Sequence, residues 1–239
     1  MKILITGGSG DIGSSIINKI KLKWKDATIC EVNRGETNTT TYKCDLTNIK
    51  EVEELCNKIK STTFDVLINC AGWSTPIPFE KLNIDDINKR MNINYYAPLM
   101  LMKSVIPNMK NNNGGVIINI SSVTAVTPVP DLHIYSAAKR ALDSITISTA
   151  VEYSNNNIRI NGIHPGSIDT NAAREGRLIL GDLRNIKKEQ YEENMKKING
   201  YNRLLTPDEV ANTVVFLMSD ESSGITGQIV NVCGIMEVH

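Results

Sequence analysis

The chain predicts a doubly wound α/β fold, with one parallel sheet covered by helices on both faces. Three observations carry that prediction. Short β-branched runs are mostly apolar on both faces, segments with helical spacing separate them from end to end, and no Pro-, Gly- or Ser-rich linker interrupts the alternation. Strands that bury both faces suit a parallel sheet, because each crossover helix covers the strands it connects. The 239 residues therefore read as a single domain, 1–239, with about seven strands and no internal repeat.

Taken in order, the runs Lys2–Ile5, Ala27–Val32, Asp65–Asn69, Val116–Ile120, Ile158–Ile163 and Gln228–Val232 read as strands. Between them, Ile12–Lys23, Ile49–Ser61, Ile84–Met109, Ile134–Tyr153 and Pro207–Ser219 carry helical spacing. The last of these has a marked start, with Thr206 as N-cap, Pro207 in the first turn and Glu209 completing a capping box. Two segments break the rhythm. Thr37–Thr41 is a polar Asn/Thr patch that reads as a surface loop. Ala172–Asn199 is a charged, amphipathic insertion with Leu178, Leu180, Leu183 and Ile186 among Arg, Lys and Glu. It suits either a solvated helix pair or a substrate lid over 172–199.

Charge and cysteines exclude several function classes. With 26 basic against 26 acidic residues there is no net field to gather nucleic acid or an anionic membrane, so neither is expected as a partner. The five cysteines, Cys30, Cys44, Cys56, Cys70 and Cys233, form no Cys-x-x-Cys pair, so no metal is expected and buried free thiols are. Met1-Lys2 leads directly into a strand-like run and then glycines, without a signal-like apolar region, and no stretch approaches the roughly 20 apolar residues of a membrane span. A reducing, cytoplasmic setting is the expectation.

Directly after the first strand comes Thr6-Gly7-Gly8-Ser9-Gly10-Asp11-Ile12-Gly13, opening into a helix. A glycine-rich strand-to-helix turn lets the backbone approach a pyrophosphate and offers it the unpaired N–H groups of a helix N-terminus. At the end of the second strand, where a ribose-reading residue belongs, stands Val32-Asn33-Arg34. Asn33 and Arg34 can donate to a 2′-phosphate where an acidic residue would repel it, so NADP(H) is expected. Glu31 is the counterweight, since a register shift of two would make it the reading residue and favour NAD(H).

Tyr135-Ser136-Ala137-Ala138-Lys139 places a phenol and an ammonium four residues apart on one helix face. A nearby cation favours the phenolate and is expected to lower the phenol's pKa from its reference near 10. Ser122, just after the strand Val116–Ile120, lies at the carboxyl edge where open α/β sheets bind ligands, and its hydroxyl suits a substrate oxygen.

With these pieces the chain resembles the short-chain dehydrogenase/reductase family along nearly its full length. The pieces arrive in family order: the glycine turn, Asp45, Asn69-Cys70-Ala71-Gly72, Asn94, Ser122, Tyr135 with Lys139, then Pro165-Gly166 and Thr170. The closing stretches Pro207-Asp208-Glu209-Val210-Ala211 and Ile225-Thr226-Gly227-Gln228 are similar to 3-oxoacyl-carrier-protein reductase-like members. The resemblance implies a Rossmann-type sheet and a catalytic tetrad of Asn94, Ser122, Tyr135 and Lys139, with Lys139 also touching the nicotinamide ribose. It further implies that Asp45 and Leu46 flank the adenine, that Asn69, Ala71 and Gly72 line the adenosine ribose side, and that Ile168 and Thr170 hold the carboxamide. Ser9, Gly10, Asp11 and Ile12 would join Gly7 and Gly13 around the diphosphate, with Pro165 and Gly166 at the nicotinamide end.

Three positions depart from the family pattern. Asp11 stands where the single-domain branch usually has Gly, so the spacing is Gly7-x-x-Gly10-x-x-Gly13; Cys70 replaces a frequent Asn; and Cys233-Gly234-Ile235 replaces a common Asp-Gly-Gly. His133 and His164 read as structural, and Trp73 as a pocket wall or plug. The reading is an NADP(H)-dependent carbonyl reductase or alcohol dehydrogenase, with an NAD(H)-linked dehydrogenase of a sugar, steroid or other secondary alcohol as the alternative. A dinucleotide-binding protein without turnover is a further rival, against which the complete tetrad argues. The run Val126-Thr127-Pro128-Val129-Pro130 suggests an apolar pocket edge. Leu99, Met102, Leu142 and Ile145, spread over more than one helix face, suggest a homodimer or homotetramer.

Overall fold

The computed structural model describes residues 1–35 and 39–236. Seven strands form one parallel sheet: β1 (Lys2–Thr6), β2 (Thr28–Asn33), β3 (Thr40–Lys43), β4 (Val66–Asn69), β5 (Gly115–Ile120), β6 (Ile158–Pro165) and β7 (Ile229–Val232). Their spatial order is β3-β2-β1-β4-β5-β6-β7. The order reverses between β1 and β4, which are paired directly (Thr6 with Asn69). That reversal leaves a crevice beyond the carboxyl ends of these two strands, the place where doubly wound sheets bind ligands.

Among the described residues eight α-helices accompany the sheet: α1 (Asp11–Lys23), α2 (Ile49–Ile59), α3 (Ile84–Met91), α4 (Ala97–Asn111), α5 (His133–Tyr153), α6 (Asn171–Leu183), α7 (Lys188–Ile198) and α8 (Pro207–Met218). Alternation along each strand sorts its side chains into two cores. Leu4, Val32, Leu67, Ile117 and Ile160 pack with Val52, Leu55, Leu101 and Val105 on one face. Ile3, Ile5, Ile68, Ile118 and Ile163 pack with Ile16, Ile20, Val210, Val214 and Leu217 on the other. Strands buried on both faces therefore carry apolar residues at successive positions, which is why they were legible as continuous runs.

Two expectations need correction. The segment 37–41 is not a loop throughout: Thr40 and Thr41 begin β3, whose Tyr42 and Lys43 pair with Val32 and Asn33, while Thr37 and Asn38 lie outside the described residues. A polar edge strand has one solvated side and lacks the apolar run of its central neighbours. The helix expected over 84–109 is interrupted by a π-helical turn at Asn92–Tyr96, which separates α3 from α4. The insertion after β6 is a helix pair, α6 and α7, in which Leu180 and Tyr191 are buried while Leu183 is exposed.

Candidate active site

The glycine turn owes its shape to close backbone approach. Gly7 has φ +69°, and a Cβ there would stand 2.9 Å from the Ala71 Cα. A Cβ at Gly13 would collide with the Gly7 carbonyl. These contacts press the turn onto the end of β4 and leave Gly10 as the N-cap of α1, with no side chain capping the helix. The first-turn N–H groups are thus suited to an anion such as a diphosphate. Asp11 turns sideways: its carboxylate accepts from the Asn171 backbone N (2.6 Å) and Nδ2 (3.2 Å), tying the turn to the start of α6.

β2 runs through Asn33, so Glu31 lies two residues inside the strand rather than at its end. Both side chains serve the turn. The Asn33 Oδ1 accepts from Ser9 N (3.4 Å) and Ser9 Oγ (3.2 Å), and its Nδ2 donates to Glu31 Oε2 (3.3 Å). Glu31 is buried with its carboxylate beneath Gly8. Arg34, next in sequence, is exposed. The cation is therefore on the outside of the turn and the amide is engaged within it.

Other positions expected to face a dinucleotide have visible local duties. The Asp45 carboxylate accepts from Thr47 N (2.9 Å) and Thr47 Oγ1 (2.8 Å), shaping the turn into α2, with Leu46 buried beside it. The Asn69 Nδ2 donates to Asn119 Oδ1 (2.8 Å), whose own amide donates to Thr146 Oγ1 (2.8 Å). Ala71 N donates to Thr6 Oγ1 (3.1 Å). Pro165 ends β6, and Gly166 is held against Cys233, where a Cβ would stand 2.8 Å from the Cys233 Cα. Ile168 is buried and bridges to Leu205, and the Thr170 hydroxyl accepts from Ala173 N (3.1 Å) as the N-cap of α6.

The four residues expected to carry chemistry converge at the carboxyl edge. Ser122 follows β5, and its Oγ accepts from Thr124 N (3.2 Å) and pairs with Thr124 Oγ1 (3.0 Å). Tyr135, in the first turn of α5, hydrogen-bonds to Ser122. Lys139, one turn on, is buried, donates to the Ile120 carbonyl at 2.7 Å, and lies 5.7 Å from the Tyr135 ring centroid. Gly72 leaves open the point where they meet: a Cβ there would stand 3.1 Å from Asn94 Oδ1 and 3.6 Å from Lys139 Nζ. Asn94 sits inside the π turn, fully buried, accepting from Trp73 N (3.1 Å) and donating to the carbonyls of Trp73 (3.0 Å) and Arg90 (2.9 Å).

The electrostatics correct one expectation. Burial pushes the Tyr135 phenol above its ordinary value and the Ser122 hydrogen bond only partly opposes it. Burial also lowers Lys139 to about 8, against the fields of Cys70 and Asp143 that favour its proton. Loss of solvation is the largest cause of both shifts.

A family model described as Enoyl-(Acyl carrier protein) reductase matches residues 19–234. The 3-oxoacyl-[acyl-carrier-protein] reductase of Rickettsia felis is 30% identical over 240 residues, covering 98% of this chain and 95% of that protein. The chain belongs to the short-chain dehydrogenase/reductase family. It is similar also to the 7alpha-hydroxysteroid dehydrogenase of Escherichia coli K12, at 28% identity over 97% of this chain and 92% of that one. Among solved structures, a short chain dehydrogenase family protein of Francisella tularensis superposes with a TM-score of 0.88 at 26% identity, with 98% of each chain covered. As a short-chain dehydrogenase/reductase, the protein is an NAD(P)-dependent oxidoreductase of the alcohol–carbonyl class. Among the described residues no helix is long and apolar enough to cross a membrane.

The structure of this short-chain dehydrogenase/reductase adds residues that the sequence reading did not single out. Thr124 orients Ser122. Arg90, buried on α3, stacks 4.5 Å from the Trp73 ring and donates to the Thr75 carbonyl at 2.6 Å, bracing the loop that Asn94 holds. Asn119 and Thr146 anchor Asn69. The legible signal was a polar residue inside an apolar strand, Asn119 within Val116–Ile120; Arg90 and Thr124 sat among other polar residues and carried none.

Proposed function

We propose that the protein is an NADP(H)-dependent carbonyl reductase, running in reverse as an alcohol dehydrogenase, with Ser122, Tyr135, Lys139 and Asn94 as its working residues. The observation that carries this reading is the Tyr135 phenol hydrogen-bonded to Ser122 at the carboxyl edge of β5, with Lys139 one turn behind. When bound, the dinucleotide supplies or accepts the hydride. Ser122 accepts from Thr124 on both lone pairs, so its own O–H points to the Tyr135 phenol and can turn to a substrate oxygen bound beside it. Tyr135 donates its proton to that oxygen. Burial holds the phenol in its protonated form, the form that donates in reduction, and the same group accepts a proton in the reverse direction. Lys139 stands behind the phenol with its ammonium anchored on Ile120. Both Asn94 N–H groups are spent on backbone, but its Oδ1 retains a lone pair near Lys139 for a water that returns the proton.

NADP(H) is favoured by the exposed Arg34 just past the end of β2. NAD(H) is the second reading, favoured by the Glu31 carboxylate lying beneath Gly8. Titration of each dinucleotide by intrinsic fluorescence separates them. The proposal expects tighter NADPH binding, with Arg34→Ala eroding the preference by roughly 1.5–3 kcal/mol, the scale of a charged hydrogen bond. Equal or tighter NADH binding selects the alternative. Activity is tested on a panel of carbonyl compounds. Pro128 and Val129 line a cavity of about 290 Å³ beside the first turns of α5, an apolar edge next to Thr124, which orients Ser122.

The α6–α7 pair is the proposed lid. Its support is the Asp11–Asn171 tie and the close approach of Gly176 to Pro76 in the loop after β4. Assembly as a homodimer or homotetramer is supported by Tyr96, Ile147 and Val151, which are exposed on α4's approach and α5. Of the residues first expected there, Met102 and Leu142 are buried in the protomer's own core. A cytoplasmic setting is supported by the thiols of Cys30, Cys44, Cys56 and Cys70, none of which is in a disulfide.

A further inference from the structure

The carboxyl ends of β4, β5 and β6 present a polar layer to α5. Asn69, Asn119 and His164 occupy strand positions on the face whose apolar members, Leu67, Ile117 and Ile160, pack beneath α4 and α5. α5 answers with a buried stripe that includes Lys139, Asp143 and Thr146. Asn119 and Thr146 bond each other. Deeper in the mechanism's direction, His164 Nε2 meets Asp143 Oδ2 at 2.9 Å, with both side chains only 5% exposed. Asp143 Oδ1 has no hydrogen-bond partner among the described residues.

Tyr135, Lys139 and Asp143 are spaced four apart, so they form one column on α5 with the lysine in the middle. A buried carboxylate is costly unless a cation or donors compensate it. Here His164 binds one oxygen, and the field of the carboxylate falls on Lys139, raising the lysine's affinity for its proton. The titratable groups facing Lys139 are Tyr135 and Asp143 from its own helix, Cys70 from the end of β4, and, through Asp143, His164 from β6.

We propose that Asp143 and His164 are positioning residues for Lys139: the strand histidine locks the carboxylate one turn beyond the lysine, and the carboxylate keeps the lysine in its charged form. This rests on the reading of Lys139 as a working residue. Burial acts against the ammonium, so without Asp143 the lysine would lose its proton nearer neutrality.

Two readouts test it on the full chain. The first is the titration of Lys139 itself, followed by competitive acetylation with acetic anhydride and mass spectrometry across pH, a measurement that needs no turnover. The second is the pH profile of carbonyl reduction. Asp143→Asn should move the Lys139 midpoint and the alkaline limb of the profile down by about one pH unit, the low end for loss of a neighbouring opposite charge. His164→Leu should act in the same direction, because the carboxylate then loses the donor that locks it one turn beyond Lys139. His164→Gln, which retains a donor, should stay close to wild type. A folded Asp143→Asn protein whose Lys139 titrates as in wild type overturns the proposal. If that variant does not fold, an unshifted Lys139 in His164→Leu overturns it instead. Loss of the catalytic reading has a different signature, full turnover in Tyr135→Phe, and leaves the acetylation readout standing.

Discussion

Tyr135 and Lys139 show how a single helix turn can be read in sequence while its electrostatics cannot. The four-residue spacing placed both groups on one face of α5, but burial, which depends on the whole surrounding layer, decided the direction of each shift. Tyr135→Phe keeps the ring and deletes its proton, so turnover should fall by roughly 10²–10⁴-fold with dinucleotide binding nearly intact. Wild-type turnover in that variant would refute the mechanism. Lys139 is charged below about 8 and loses its proton above it, so a step that needs the ammonium should weaken as pH rises through that value. A rate profile flat from pH 7 to 9, on the ordinary pKa expectation for an exposed lysine of about 10.4, would count against a role for the buried ammonium. Gly13→Ala would force a Cβ into the Gly7 carbonyl, so the expected cost is about 1–3 kcal/mol in urea unfolding, with weakened dinucleotide binding.

The helices differ in how far local rules govern them. α8 follows the rules written at its start: Thr206 N donates to Glu209 Oε2 at 2.7 Å, Glu209 N donates to Thr206 Oγ1 at 3.3 Å, and Arg203 forks onto the Glu209 carboxylate. These bonds hold the Glu209 carboxyl down at about 2. A depressed folded value means that the cap's contribution is present above the ordinary carboxylate range and is lost as pH falls towards that value. Thr206→Ala should destabilise the protein by about 1 kcal/mol in urea titrations. The α3–α4 segment behaves otherwise, since a π turn inserts one extra residue and aims Asn94 at Trp73. Deleting Asn92 should regularise the helix, leaving far-ultraviolet circular dichroism unchanged while activity is lost. Retained activity would show that Asn94 is not needed where the π turn puts it.

The molecule as a whole buries nearly all of β1, β4 and β5 between two helical layers, yet leaves Val151 73% exposed on α5. An exposed apolar row on a helix whose opposite stripe is already packed is expected to meet another subunit. Light scattering should therefore report a dimer or tetramer at micromolar concentration, and Ile147→Lys with Val151→Glu should shift it towards monomer. A stable wild-type monomer would remove the assembly reading. His164, first read as structural, shows the same whole-molecule dependence: its partner Asp143 is 21 residues away and is met only because β6 lies beneath α5.

What the amino-acid order settled were features whose cause is local or periodic. The alternation of strand and helix, the glycine turn, the capping box of α8 and the Tyr135–Lys139 spacing each arise from backbone sterics or from the repeat of a helix or strand, and each is present in the structure. Folding in three dimensions settled what depends on distant segments meeting. Edge strand β3 exists because β2 offers it backbone partners, the π turn exists because the loop after β4 engages Asn94, and the raised phenol and lowered ammonium arise because α5 lies over the ends of β5 and β6. Hydrogen bonds between distant residues and loss of solvent belong to the assembled layers, and no window of sequence contains them.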